Sequence, residues 1–243
     1  MVAGHYEQKQ ILSRSRVVAW SHGARFKMAR TLVGPYAGKD LLDYGCGDGT
    51  FLKSVSDLFP HATGVDIAPS QVEDCRHRIP NHRFALVNEI ADTFDVVTCM
   101  EVLEHCTPEV VNQILSKLAS LLKPGGACVI SVPVEVGATL IVKQAVRRIA
   151  GWRGIGDYKW TEGYSSSDLI TMIFANERSK IPRTQYDGLY THKGFNWLAL
   201  ESEIGKTFRI RERHFSPSSI FRSQVWFVCD LPHDSAAQSS VPA

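Results

Sequence analysis

Three side chains near the middle of the chain are spaced for chemistry: Glu101, Glu104 and His105, in the run Met100-Glu101-Val102-Leu103-Glu104-His105. If the run is helical, positions i, i+3 and i+4 share one face, and two carboxylates with an imidazole suit a divalent ion such as Mg²⁺, Mn²⁺ or Zn²⁺. The same letters also fit a plainer role, in which Glu104 and His105 brace the start of a helix. A second group lies upstream, where the apolar run Leu41-Leu42-Asp43-Tyr44 ends in Gly45-Cys46-Gly47-Asp48-Gly49. Three alternate glycines let a backbone turn tightly and approach a ligand without Cβ clashes. The dinucleotide spacing G-x-G-x-x-G fails, because Thr50 stands where its third glycine would be, and this counts against NAD. Nineteen residues past Gly47 another apolar run ends at Asp66, a carboxylate placed to accept hydrogen bonds from the hydroxyls of a nucleoside ribose.

These groups need a scaffold, and the sequence supplies one between Asp40 and Pro133, where short β-rich runs alternate with helical segments. The alternation predicts an α/β, Rossmann-like, doubly wound and mostly parallel seven-stranded sheet. Strands are expected at 40–44, 62–66, 83–87, 94–100 and 127–132, and helices at 50–59, 70–78 and 108–122. The Lys123-Pro124-Gly125-Gly126 step is expected to stop the last helix and turn the chain. The rhythm breaks after Pro133, so residues 134–196 read as a lid or insertion after the fifth strand. A helix at 197–206 and strands at 209–215 and 224–229 then complete the sheet, with one antiparallel strand. Residues 1–39 are expected to form an N-terminal helical cap, 40–230 the main domain, and 231–243 a disordered tail.

Composition narrows the class. With 243 residues, 44% hydrophobic and 21% charged, the chain suits one large α/β domain carrying an insertion. No apolar run approaches the roughly 20 residues that span a bilayer. The first ten residues lack the apolar core of a secretory signal, so a cytoplasmic location is expected. Six scattered cysteines without a C-x-x-C pair read mostly as reduced packing residues. A net charge of +2 argues against nucleic acid as a partner, although residues 1–39 hold seven Lys or Arg against the single acid Glu7. No element of the pattern specifies an oligomer.

In this order and spacing, the segments LLDYGCGDGTFL, GVDIAPS, FDVVTCMEVLEH and LKPGGACVISVP resemble the class I S-adenosylmethionine-dependent methyltransferases over residues 38–133. The resemblance implies that Asp43 and the backbone of Gly45, Cys46 and Gly47 face the methionine portion of S-adenosylmethionine and that Asp66 holds the ribose. It also implies that Ile67 packs on the adenine, Asn88 meets the adenine edge and Met100 lies beside the sulfonium. Ordinary core packing for Ile67 and Met100, and a turn-stabilising role for Asp43, are the competing readings. The E-x-x-E-H pattern is similar to that of ubiquinone-pathway O-methyltransferases and of small-RNA 2′-O-methyltransferases. In the RNA-directed group a later histidine precedes an aromatic segment. Thr191-His192-Lys193-Gly194-Phe195-Asn196-Trp197 is comparable, with one extra residue before the Phe. The implied metal set is Glu101, Glu104, His105 and His192; in a metal-free alternative His105 or His192 is the catalytic base, and in a third reading His192 only hydrogen-bonds within the lid.

Within the insertion, residues 138–150 form a basic amphipathic pattern. Ile141, Val142, Ala145, Val146 and Ile149 share a stripe, and Lys143, Gln144, Arg147 and Arg148 lie away from it. Either the stripe packs on the core as a lid, or residues 138–153, followed by Tyr158, Lys159 and Trp160, rest on an anionic membrane and admit a lipid-like acceptor. In the N-terminal segment, Tyr6, Lys9, Arg16, Trp20, His22 and Arg25 lie where the resemblance implies a cap over the cofactor, and an Arg there would pair with the methionine carboxylate. The function expected is O-methylation of a small-molecule hydroxyl; an RNA 2′-O-methyltransferase and a non-catalytic, cofactor-binding regulatory protein are the alternatives.

Overall fold

A computed structural model describes residues 16–152, 163–186, 188–218 and 222–232, with the side chains of 16–22, 146 and 149–152 left aside. In chain order the elements are α1 (Arg16–Val33), β1 (Leu41–Tyr44), α2 (Thr50–Ser54), β2 (Thr63–Asp66), α3 (Pro69–Arg78), β3 (Arg83–Leu86), β4 (Phe94–Met100) and α4 (Pro108–Leu121). They continue with β5 (Leu122–Pro133), α5 (Ala138–Trp152), α6 (Ser166–Ile173), β6 (Gln185–Tyr186), β7 (Leu189–Tyr190), α7 (Trp197–Thr207), β8 (Arg209–Pro217) and β9 (Arg222–Asp230).

Seven strands form one sheet in the order β3-β2-β1-β4-β5-β9-β8. The first five pair in parallel, and β9 runs antiparallel to both β5 and β8, so the expected doubly wound sheet with a single antiparallel strand is present. Alternate residues of the central strands feed two cores: Leu42, Val97, Cys128, Ile130 and Phe227 on the face covered by α4 and α7, and Leu41, Val96, Val129 and Trp226 on the face covered by α1 and α3. Burial on both faces explains why these strands read as continuous apolar runs. The strand order reverses between β1 and β4, which opens a crevice at their carboxyl ends. The glycine turn after β1 and the Glu101–His105 segment after β4 both start from that crevice.

Four local departures from the sequence expectation have physical causes. Helix α2 ends at Ser54 rather than at Phe59; the hydroxyls of Ser54 and Ser56 donate to the Phe51 and Leu52 carbonyls, a local competition that disfavours continuation of a helix. Strand β5 starts at Leu122 and runs through the Pro124-Gly125-Gly126 step. Register moves from Phe94–Leu122 to Val96–Ala127, so the step is absorbed as a bulge instead of ending the element.

Within residues 134–196 the chain forms a separate hairpin, β6–β7, that joins no strand of the main sheet. Its reversal falls at an Asp-Gly step in the sequence, with Gly188 at φ 80°, the turn chemistry that favours a two-residue hairpin connection. Finally, α5 lies the other way round from the lid reading. Ile141 and Val142 are 52% and 42% exposed, while Lys143 and Arg147 turn inward to the fully buried Glu135. A buried carboxylate without cations is far costlier than a few exposed aliphatic carbons, and this decides which face of α5 points in. Val146 and Ile149 of the stripe lie outside the described side chains.

All six cysteines are free thiols, five of them buried, as expected for packing residues. No helix among the described residues is long and apolar enough to cross a membrane.

Candidate active site

At the end of β1 the backbone folds sharply through Gly45 (φ 78°), Gly47 (φ 54°) and Gly49 (φ 71°). The glycines serve different needs. A Cβ on Gly45 would lie 2.4 Å from Val102 Cγ2, whereas one on Gly47 would meet nothing within 4 Å. Gly45 is therefore set by packing beneath the turn, and Gly47 has open space on the side where a Cβ would stand. The Asp66 carboxylate reaches across from β2 to accept from Gly47 N (2.9 Å) and Ala68 N (2.9 Å), which holds the turn against the neighbouring strand. Thr50 begins α2, and both its N–H and its hydroxyl donate to Asp48 Oδ1. The residue that breaks the dinucleotide motif thus closes the loop through its side chain.

Asp43 is 2% exposed and accepts from the Thr98 hydroxyl at 2.7 Å. Burial pushes its pKa up to about 7, with the Asp66 charge adding and the Thr98 hydrogen bond opposing. Cys46 is buried against the turn, Ile67 is 77% exposed directly after Asp66, Asn88 is exposed in a single 3-10 turn after β3, and Met100 is half-buried at the end of β4.

After β4 the chain departs from the helical arrangement expected of Glu101, Glu104 and His105. Glu101 takes φ 56°, a conformation that costs a non-glycine residue about 1–3 kcal/mol, and only a 3-10 turn at Leu103–His105 follows. The three side chains consequently do not share one helical face. Glu101 points to α1, where Arg25 Nη1 lies 3.2 Å from its carboxylate in a largely buried pair. Arg25 was among the cap residues expected near a methionine carboxylate; here its guanidinium meets Glu101. Arg16, Trp20 and His22 belong to α1, and Tyr6 and Lys9 lie outside the described residues.

Glu104, His105 and His192 do converge. One ligand atom from each falls within 4.8 Å of the others. His105 Nε2 is 3.7 Å and His192 Nε2 4.0 Å from Glu104 Oε1. Glu104 is fully buried, and neither of its oxygens has a hydrogen-bond partner among the described residues. Burial, with the Glu101 charge adding, holds its carboxyl well above the usual carboxylate range. His192 is shifted down to about 4, chiefly by burial, so its imidazole is neutral at physiological pH. His105 Nδ1 donates to the Tyr190 carbonyl at 2.7 Å, leaving Nε2 turned toward Glu104.

Several residues that the sequence did not single out complete the arrangement. Arg183 donates through Nη2 to the carbonyls of Glu104 and Thr191, and its guanidinium lies over the Tyr190 and Phe195 rings, 4.4 and 5.5 Å from their centroids. It clamps the turn after β4 to the segment that carries His192. Beside the two histidines opens a cavity of about 430 Å³, walled by Tyr164, Tyr186, Tyr190, Gln144, Arg147 and Lys193. Its size is that of a small-molecule site.

A family model for a methyltransferase domain matches residues 24–174. The chain belongs to the S-adenosylmethionine-dependent methyltransferases. Among relatives of this methyltransferase domain, the ubiquinone biosynthesis O-methyltransferase of Albidiferax ferrireducens is 37% identical over 103 residues, 38% of this chain and 40% of that protein. The one of Idiomarina loihiensis is 32% identical over 149 residues, 57% of this chain and 60% of that protein. The match thus spans about half the length of these curated relatives. Two solved structures share the fold: PH0226 of Pyrococcus horikoshii (TM-score 0.61, 15% identity, 95% of this chain and 100% of that one) and the magnesium protoporphyrin IX methyltransferase of Synechocystis with bound S-adenosylhomocysteine (TM-score 0.56, 16% identity, 92% and 95%).

Proposed function

We propose that this methyltransferase transfers the methyl group of S-adenosylmethionine to a hydroxyl of a small-molecule acceptor seated in the 430 Å³ cavity. The observation that carries the reading is the convergence of His105 and His192, both lining that cavity, on the buried Glu104 carboxyl, which has no hydrogen-bond partner among the described residues. The sulfonium already supplies an activated methyl, so the protein has to align the nucleophile and help it lose its proton. On the cofactor side, Asp43 and the backbone at Gly47 face the methionine portion, Asp66 accepts from the ribose, and the exposed Ile67 with Asn88 receives the adenine. Met100 lies toward the sulfonium. On the acceptor side, neutral His192 offers a nitrogen lone pair for the hydroxyl proton, with His105 Nε2 beside it. The O-methyltransferase names of the relatives support oxygen as the atom methylated.

The same three residues fit a divalent cation. Glu104 has no hydrogen-bond partner among the described residues, His192 is neutral, and the ring N–H of His105 is held by a backbone carbonyl, the supporting contact that metal-binding imidazoles usually have. Glu101, turned to Arg25, is not in the set. Bound there, Mg²⁺, Mn²⁺ or Zn²⁺ would lower the pKa of an acceptor hydroxyl. Dialysis against a chelator, with bound metal counted and methyl transfer assayed, separates the two versions. Loss of both metal and activity, restored by added Mn²⁺ or Mg²⁺, is expected of the metal site. Full activity with no metal bound would leave the histidines as bases, and His192→Ala should then cost on the order of 10²-fold in rate.

The acceptor reading extends to its source. Ile141 and Val142 on α5, and Ile170 and Phe174 at α6, are 42–80% exposed on two helices that pack together. Gln144 and Arg147 of the same α5 wall the cavity. This apolar face rests on an anionic lipid surface and brings the cavity to a lipid-like acceptor, a reading that co-sedimentation with anionic vesicles tests.

A further inference from the structure

We propose that the acceptor carries an anionic substituent, recognised by Lys193. The inference deepens the proposed function and rests on the methyltransferase reading of the same cavity. The described lining residues include two cations, Arg147 and Lys193, three phenol rings, Tyr164, Tyr186 and Tyr190, and no Asp or Glu. The two cations are not equivalent. Arg147 spends both terminal nitrogens on Glu135, at 3.1 and 2.8 Å, and Lys143 shares that carboxylate at 3.0 Å. Lys193 has no carboxylate within ion-pair distance among the described residues; its Nζ lies 5.7 Å from the centroid of the Tyr164 ring.

The segment that holds Lys193 is built rather than loose. Gly194 N donates to the Tyr164 hydroxyl at 3.2 Å, and Phe195 N donates to the His192 carbonyl at 3.1 Å. Gly194 has φ 73°, and a Cβ there would fall 2.8 Å from Ile181 Cγ1, so glycine is needed for the segment to lie this close. The backbone that carries Lys193 is therefore fixed beside the aromatic wall, next in sequence to His192. A half-buried cation beside an aromatic ring, in a cavity whose described lining holds no acid, favours a ligand with an aromatic or apolar body and a carboxylate or phosphate group. The chemistry that accepts the methyl lies at the histidines, and the anion sits at the Lys193 end.

The test uses three catechols that share a ring and carry a short side chain that is anionic, neutral or cationic: 3,4-dihydroxyphenylacetate, 4-ethylcatechol and 3,4-dihydroxyphenylethylamine. Each is titrated calorimetrically into the full chain loaded with S-adenosylhomocysteine. The anion should bind about tenfold more tightly than the neutral compound, the scale of one charged hydrogen bond, and the amine most weakly. Lys193→Gln should remove the preference while leaving affinity for the neutral catechol and for S-adenosylhomocysteine unchanged, and Lys193→Arg should retain it. Phosphorylated and carboxylated catechols run side by side distinguish the two kinds of anion. Equal affinities, a preference for the amine, or no binding of either anion would overturn the proposal. Failure of S-adenosylhomocysteine itself to bind would instead overturn the methyltransferase reading beneath it.

Discussion

Replacing Glu135 by Gln is the perturbation whose consequences can be followed furthest. The wild-type carboxylate is fully buried, with Lys143 and Arg147 around it about one-fifth exposed. Removing one partner of a buried pair typically costs about 3–5 kcal/mol, because the remaining charge is stranded. Here the cations lie near enough to solvent to swing out and rehydrate, which puts the expected loss at the lower end, about 3 kcal/mol. With a urea m-value of about 3 kcal/mol/M for a domain of this size, the midpoint should fall by about 1 M.

The effect should also be pH-dependent in a stated direction. Burial raises the Glu135 pKa, but Lys143 and Arg147 outweigh it and leave the group below its ordinary value. Its contribution is then present above the unfolded-state pKa and lost as pH falls through the lower folded one, so the gap between wild type and Glu135→Gln should close only as pH drops below the ordinary glutamate range. Limited proteolysis should cut first near α5, which loses its tether. The triple variant Glu135→Gln, Lys143→Met, Arg147→Met removes the stranded charges and should recover most of the loss. A Glu135→Gln midpoint within error of wild type at pH 7, with α5 equally protected, would refute the argument that this carboxylate decides which face of α5 points inward.

Asp43, raised to about 7, should gain the ionised form when the cofactor's ammonium faces it, so S-adenosylmethionine binding at pH 7 should release protons and strengthen as pH rises through 7. Calorimetry in two buffers of different ionisation heat, read as the difference between wild type and Asp43→Asn, checks this, and identical profiles for the two proteins would exclude it. If the exposed face of α5 and α6 meets lipid, wild-type protein should pellet with anionic vesicles and the variant Ile141→Asp, Phe174→Asp should stay in the supernatant; wild type left wholly in the supernatant would reject the contact.

The sheet was legible because its strands read as short apolar runs between helical segments and its turns carry glycine. β4 falls at Phe94–Met100 as read, and Asp66 ends β2 beside the glycine turn, where its carboxylate accepts from Gly47 N. The site beyond β4 was less legible, for reasons that particular residues make plain. Helical spacing puts Glu101 with Glu104, but φ at Glu101 is positive, and no letter in the sequence announces that. Glu135 is hidden in the apolar run Val132–Val136, where a lone carboxylate is itself a signal that cations must come to it; that signal would have reversed the reading of α5. The hairpin was announced by Asp-Gly between apolar residues and went unread. Arg183 carries no periodic mark at all, since its role depends on two carbonyls distant in sequence.

The hydrogen bond from His105 Nδ1 to the Tyr190 carbonyl joins the reactive turn to the hairpin that walls the cavity. It fixes the tautomer of the imidazole: with the proton held at Nδ1, the lone pair is available only at Nε2. Which imidazole nitrogen is left open therefore depends on where a two-stranded ribbon lies. If His105 is the base proposed above, a molecule that pushes the ribbon aside also frees Nδ1, and with it the orientation of Nε2.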